Sequence, residues 1–261
     1  MDRRIEKQKE KYIGQTFVTN EGYTIMVTDY LNNREVEVEF LDSDHRVWCE
    51  LVAIRGGRVK NPLHRSVFGI GYIGVGDYKV SINSRPTKEY LHWSGCIERC
   101  CDPQFLLKNP TYENCTVCEE WHNFQNFAKW FEENYYEIEG ERMELDKDIL
   151  IKGNKVYSPE TCVFVPNRIN LFLNRRQNLR GGLPIGVTYK SGDVSRFVSR
   201  CNNPLTGVRE YLGVYNTPEE AFYTYKSRKE AIAKELANHY QPYIPTVLYE
   251  ALMKYKVDIN D

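Results

Sequence analysis

The sequence predicts an α+β protein, and three observations carry that expectation. Residues 16–54 hold short alternating segments separated by turn residues, which reads as a small antiparallel β-barrel. The middle of the chain combines helical patterns with two short strands around a tight Gly153-Asn154 turn. The last third reads as three strands followed by one long helix. With 261 residues and 41% hydrophobic content, the chain supports two or three packed cores, and the expected divisions are 1–80, 86–172 and 180–261.

Taken in order, residues 3–12 are dominated by charge and read as a solvated helix or arm that aids solubility. The strand patterns that follow are Thr16-Phe-Val, Tyr23-Thr-Ile-Met-Val-Thr, Glu35-Val-Glu-Val-Glu-Phe and Val47-Trp-Cys-Glu-Leu. In the third the alternation is strict, so one face is buried and the other carries carboxylates. The stretch Gly69-Ile-Gly-Tyr-Ile-Gly-Val-Gly is followed by a strand-like run and not by a helix. That order argues against a phosphate loop and for a packed glycine-rich linker.

A short helix beginning near Glu89 should stop at Asp102-Pro103. A second, from Glu119 to Asn134, places Trp121, Phe124, Phe127, Ala128 and Phe131 at three- and four-residue spacing, as a core face. Leu145 to Pro166 reads as a strand pair and a helix start at Ser158-Pro-Glu. Three strands follow, Ile185 to Lys190, Val194 to Ser199 and Arg209 to Tyr215. Thr217-Pro-Glu-Glu is a capping-box start for a long helix, with Phe222, Tyr225, Ile232 and Leu236 along its inner face. A last helix is expected at about Val247 to Lys256.

The net charge of −1 conceals an asymmetry. Residues 113–146 hold ten acids and two bases, whereas residues 167–211 hold eight arginines and lysines against two acids. No run of about 18 or more apolar residues exists, and the N-terminus is charged where a signal peptide needs apolar residues. The expected location is therefore cytoplasmic, with no membrane partner. Eight cysteines without a secretory signal point to reduced thiols or metal ligands. The Cys115-Thr-Val-Cys118 pair, with Cys100 and Cys162, is a candidate structural zinc quartet, and buried packing thiols are the alternative.

Trp93, Arg99-Cys100, Tyr112, Val117-Cys-Glu-Glu-Trp121, Phe124, Phe127, Leu145-Asp-Lys-Asp148 and Tyr157-Ser-Pro-Glu-Thr-Cys162 together resemble a phage-encoded branch of the His-Asn-His endonucleases. The resemblance covers Trp93 to Cys162 and implies a ββα-metal-like domain in which an acid binds a divalent cation and a histidine activates water. Asp146 matches the acid, but Lys147 stands in the place of the base and Thr161 in that of an asparagine. A lysine ammonium, with an ordinary pKa of about 10.4, takes no proton near neutrality. The domain therefore reads as degenerate. If activity survives, Asp146 and Asp148 would hold magnesium with Lys147 beside them, and His122 would approach from the preceding helix.

Ile185-Gly-Val, Tyr211-Leu-Gly-Val-Tyr and Thr217-Pro-Glu-Glu-Ala-Phe resemble the ethylene-response-factor, or APETALA-two, DNA-binding domain. That resemblance implies a three-stranded sheet lying in the major groove of double-stranded DNA. Lys190, Arg196, Arg200, Arg209 and Tyr211 are the matching candidates, and Arg175, Arg176 and Arg180 would add backbone contacts. Three functions stay open on the sequence: a non-catalytic DNA-binding protein of phage type, a metal-dependent endonuclease, and an interaction protein. The last would use the acidic centre and abundant tyrosines to dock on a bacterial host protein such as a defence nuclease.

Overall fold

The computed structural model describes residues 3–174 and 182–261. The chain divides into two compact units, Met1–Asp77 with Asn123–Gln125, and Tyr78–His122 with Asn126–Asp261. Both mix helices with antiparallel sheet, as the sequence predicts. No helix among the described residues is long and apolar enough to cross a membrane.

The first unit contains α1 (Arg3–Tyr12), β1 (Thr16–Val18), β2 (Thr24–Asn32), β3 (Glu35–Phe40), β4 (His45–Cys49) and α2 (Leu51–Arg55). Its strands pair in the order β1-β2-β3-β4, so β1 and β4 are the two edges. The sheet is open, which corrects the expected barrel. The physical reason is local: β1 has only three residues and pairs with β2 alone, and after β4 the chain turns into α2. Leu51, expected at the end of a strand, begins that helix and is buried with Ile54.

The alternation in β3 does what its pattern requires. Val36, Val38 and Phe40 are fully buried, while Glu37 and Glu39 turn the other way and meet Arg46. Fully burying side chains of this kind contributes about 1.5–3 kcal/mol each. The charged α1 is not a free arm: Tyr12 is buried and stacks on Tyr30, and Ile5 packs on the same core. In the glycine-rich stretch, Gly74 has a φ of +75°, and a Cβ there would overlap Asn123 Oδ1.

The second unit begins with the ribbon β5 (Ser81–Ile82) and β6 (Arg85–Pro86), followed by α3 (Lys88–Cys101) and α4 (Pro103–Lys108). Asp102 ends α3 and starts α4, its carboxylate accepting from Gln104 N at 3.0 Å. After β7 (Thr116–Val117) comes α5 (Phe124–Asn134). The expected helix from Glu119 is broken into a 3-10 turn and α5, and Asn123 Oδ1 accepts from Gln125 N at 3.0 Å at the break. Trp93, Trp121, Phe127 and Phe164 are fully buried; Trp93 Nε1 donates to Trp121 O at 2.7 Å.

The strands β8 (Met143–Asp146) and β10 (Val163–Pro166) pair antiparallel and lead directly into α6 (Asn167–Leu173). Between them β9 (Val156–Tyr157) pairs parallel with β7 instead of with β8. The helix therefore starts after Pro166, and Ser158-Pro-Glu-Thr, expected to begin it, is a turn. The remainder is β11 (Val187–Lys190), β12 (Asp193–Asn203), β13 (Val208–Tyr215), α7 (Pro218–Tyr240) and α8 (Thr246–Lys254). Val163, Val165, Ile169 and Phe172 share one hydrophobic core with Val187, Cys201, Phe222, Ile232, Leu236 and Leu248. Hairpin, α6, sheet and long helix are thus packed around common apolar ground.

Candidate nucleic-acid interface and the Asp146 turn

The strands β11, β12 and β13 form an antiparallel sheet whose inner side is set by hydrophobic alternation. Val187, Phe197, Cys201, Leu212 and Tyr215 belong to the core shared with α7. The long helix is fixed at its start, where Thr217 Oγ1 accepts from Glu220 N at 3.2 Å and Glu220 accepts from Asn216 N at 3.2 Å. Gly186 precedes β11 with a φ of +80°, and any Cβ there would overlap the Tyr225 ring. The sheet and helix can approach this closely because that residue has no side chain.

The opposite side carries the candidate DNA contacts. Arg200 pairs with Tyr211 and Asn202 with Arg209 across β12 and β13. The register skips Leu212 at a bulge between Ser199 and Arg200, so Leu212 packs inward while Tyr211 and Arg200 remain outside. Tyr211 is 61% exposed, and the Arg200 guanidinium lies 6.0 Å from its ring centroid. Arg196 is half-buried and donates from Nε to Tyr215 O at 3.3 Å; Arg209 is exposed. Lys190 is exposed at the end of β11. Arg175, Arg176 and Arg180 lie outside the described residues.

The two sides differ in how charge is balanced. Arg228 of α7 grips Glu210 with two hydrogen bonds of 2.5 and 2.8 Å and reaches Glu235 at 2.6 Å. Those hydrogen bonds, Arg228 first and Asn203 next, hold the Glu210 carboxyl at about 2. Among the described residues, Lys190, Arg196, Arg200 and Arg209 form no ion pair. Asp193 is the acid near Lys190 and Arg196. Ser195 holds its carboxyl below the usual range, and the two cations add to that effect.

A second candidate centre is built at the end of β8. Asp146 Oδ1 accepts from the backbone N–H groups of Asp148 and Ile149, both at 2.8 Å, which makes it the hinge of a turn. Burial, and then the charge of Asp148, push the Asp146 carboxyl up to about 6. The Lys147 side chain is only 12% exposed, with Nζ 3.6 Å from Asp148 Oδ2. It also lies 5.8 and 5.7 Å from the Tyr112 and Tyr157 ring centroids. Asn154 Nδ2 donates to the carbonyls of Lys147 and Val156 at 2.7 Å each and so ties together the loop that follows.

The other predicted residues fall around this loop. Thr161 donates to Val156 O at 2.8 Å within its turn. His122 donates from Nε2 to Val117 O at 3.3 Å, and its buried Nδ1 has no hydrogen-bond partner among the described residues. Arg99 lies 5.3 Å from the Tyr157 ring centroid and donates to Cys96 Sγ at 3.5 Å. Tyr157 is therefore flanked by two cations, a role that its tyrosine identity alone did not reveal.

The eight cysteines are all free thiols. Cys115 and Cys162 are buried, while Cys100 and Cys118 are partly so. Burial pushes the Cys100 thiol up to about 12 and raises Cys118 and Cys162 as well. No group of three or more His, Cys, Asp or Glu side chains among the described residues is placed to hold a metal ion.

Three carboxylates of the acidic segment are engaged within the same unit, while Glu113, Glu119, Glu120, Glu133 and Glu139 are exposed. Glu137 pairs with Lys88, Glu144 with Arg142, and Glu141 takes both Tyr240 Oη at 2.6 Å and Arg168 at 3.3 Å. Comparison of the chain with protein-family models, curated proteins and solved structures yields no match.

Proposed function

We propose that this protein binds double-stranded DNA through the sheet face opposite α7, and that its ββα centre is a degenerate, non-catalytic His-Asn-His framework. The observation that carries the reading is the segregation of charge. Arg196, Arg200 and Arg209 stand without carboxylate partners on one side, while Arg228 on the other is neutralised by Glu210 and Glu235. An uncompensated guanidinium array beside an exposed tyrosine suits phosphate neutralisation together with contacts to base edges. This arrangement supports the APETALA-two-like expectation for the same residues.

The chemistry available at Asp146 supports binding without cleavage. The resemblance brings a divalent cation and a general base with it. Here the Asp146 Oδ1 lone pairs are used by two amides, Asp148 faces the Lys147 ammonium, and no imidazole occupies the base position. These donors do not make a set for a magnesium ion. The Lys147 side chain is instead packed beside the Tyr112 and Tyr157 rings, with Nζ 3.6 Å from Asp148 Oδ2.

The test uses a labelled duplex and a supercoiled plasmid. The Arg196→Ala/Arg200→Ala variant should bind the duplex more weakly, and its log-affinity against log-salt slope should flatten by up to about 2. Plasmid should be retarded but not nicked with magnesium or manganese. Nicking that an Asp146→Asn variant abolishes would establish the endonuclease alternative. Metal analysis of the same preparation decides whether Cys100, Cys115, Cys118 and Cys162 bind zinc. Binding to host protein that survives nuclease treatment, with no affinity for duplex, would favour the interaction reading.

A further inference from the structure

The first unit contains a cationic cleft that the sheet-face reading leaves unused. Lys9 of α1 pairs with Asp29 of β2 at 3.1 Å, and Tyr12 anchors the end of the helix in the core. This seating directs Arg4, Gln8 and Lys11 along one wall. The β2–β3 turn, with Asn32, Asn33 and Arg34, and Arg55 of α2 contribute to the rest of a cleft of about 670 Å³. Among the described residues, four cations and one carboxylate, Glu50, line it.

The charges are held in place. Lys11 Nζ and Arg55 Cζ each lie 5.2 Å from the Tyr12 ring centroid, and Arg55 also donates to the Tyr12 hydroxyl. Asn33 Oδ1 accepts from Tyr30 Oη at 2.7 Å, and Asn32 Oδ1 accepts from Arg34 N at 2.8 Å, so the turn presenting Arg34 is braced. Glu35 is turned to Asn32. Arg34 is exposed and forms no ion pair among the described residues. Gathering like charges is unfavourable, and an anion in the cleft relieves it.

We propose that this cleft binds the phosphodiester backbone of a nucleic-acid strand, as a contact separate from the sheet face. Arg4 and Lys11 are seven residues apart on one helix, or about 10 Å along its axis, which is longer than one phosphate and suits successive phosphates of a strand. Tyr12 and Tyr30 are buried and stacked on one another, so neither offers a face to a base. The contact is therefore to backbone and independent of sequence.

The experiment uses the full chain carrying Arg196→Ala/Arg200→Ala, so that the sheet face is weakened first, and a fluorescent single-stranded oligothymidylate as probe. Adding Lys11→Ala/Arg34→Ala should lower affinity roughly tenfold at low salt and reduce the salt slope by about 1.4 for two lost phosphate contacts on single strands. Lys11→Arg/Arg34→Lys should retain binding within about twofold, since charge is kept. Unchanged affinity and slope overturn the proposal, as does failure of the sheet-face variant to bind the probe. Displacement of the probe by an equal concentration of inorganic phosphate overturns the assignment to a strand. None of these outcomes depends on whether the sheet face binds duplex.

Discussion

Arg200 is both the cross-strand partner of Tyr211 and the cation over its ring, 6.0 Å from the centroid. The pair sits where the β12–β13 bulge lets Leu212 turn inward, so the same irregularity that completes the core exposes the aromatic and its guanidinium. If they act together on DNA, a double-mutant cycle of Arg200→Ala and Tyr211→Ala in duplex affinity should show coupling of about 0.5–1 kcal/mol. Tyr211→Phe should keep most of it. Strictly additive losses would mean that the two contact DNA independently.

Gly186 tests the packing that holds this face in place. Its φ of +80° is matched by Gly192 at +78°, but a Cβ at Gly186 would overlap Tyr225, whereas one at Gly192 meets nothing within 4 Å. Gly192→Ala should lose about 1 kcal/mol from backbone strain. Gly186→Ala should lose at least about 2 kcal/mol more, because helix and sheet must separate. Equal losses in chemical denaturation would remove Tyr225 from the argument.

At Asp146 the pH dependence has a definite sign. The folded carboxyl titrates at about 6, above its ordinary 3.8, so its contribution is complete below about pH 3.8 and is lost as pH rises through about 6. Asp146→Asn keeps an oxygen to accept from Asp148 N and Ile149 N and removes the charge. The variant should melt higher than the parent at pH 8 and close to it at pH 4. A lower melting temperature at pH 8 would show that the charge itself is needed for the turn.

His92 acts in the opposite direction. Its ring lies among Phe131, Tyr135 and Phe164, and burial, followed by the charges of Arg99, Arg142 and Lys88, pushes its pKa down to about 4. The folded state prefers neutral imidazole, so stability is full above about pH 6.5 and falls as pH drops toward 4. His92→Phe should lose less stability than the parent between pH 7 and 4.5. An identical loss would place the acid sensitivity elsewhere.

Where side-chain period decides structure, the sequence was readable. The Val36, Val38 and Phe40 alternation, the Thr217 cap and the three C-terminal strands all depend on neighbours near in the chain, and β12 merely extends further, to Asn203, than its pattern suggested. Long-range choices were not readable. That Val156 and Tyr157 pair with β7, and leave β8 to β10, depends on residues about forty positions away. The open edge of the first sheet is a local matter by contrast, set by the short β1 and by the start of α2 directly after β4. At the candidate site, the basic residues were legible as types, but their common face was not, because the bulge between Ser199 and Arg200 shifts the alternation. The packing of Lys147 between Tyr112 and Tyr157 left no local signal at all.

The most direct measurement is amide chemical-shift mapping of the full chain titrated with duplex DNA at low salt. The largest changes should fall on Lys190, Arg196, Arg200, Arg209 and Tyr211, with small changes on the side of α7 that carries Arg228 and Glu235. Shifts concentrated on α7, or a sheet face that does not respond to saturating duplex, would contradict the assignment of that face to DNA.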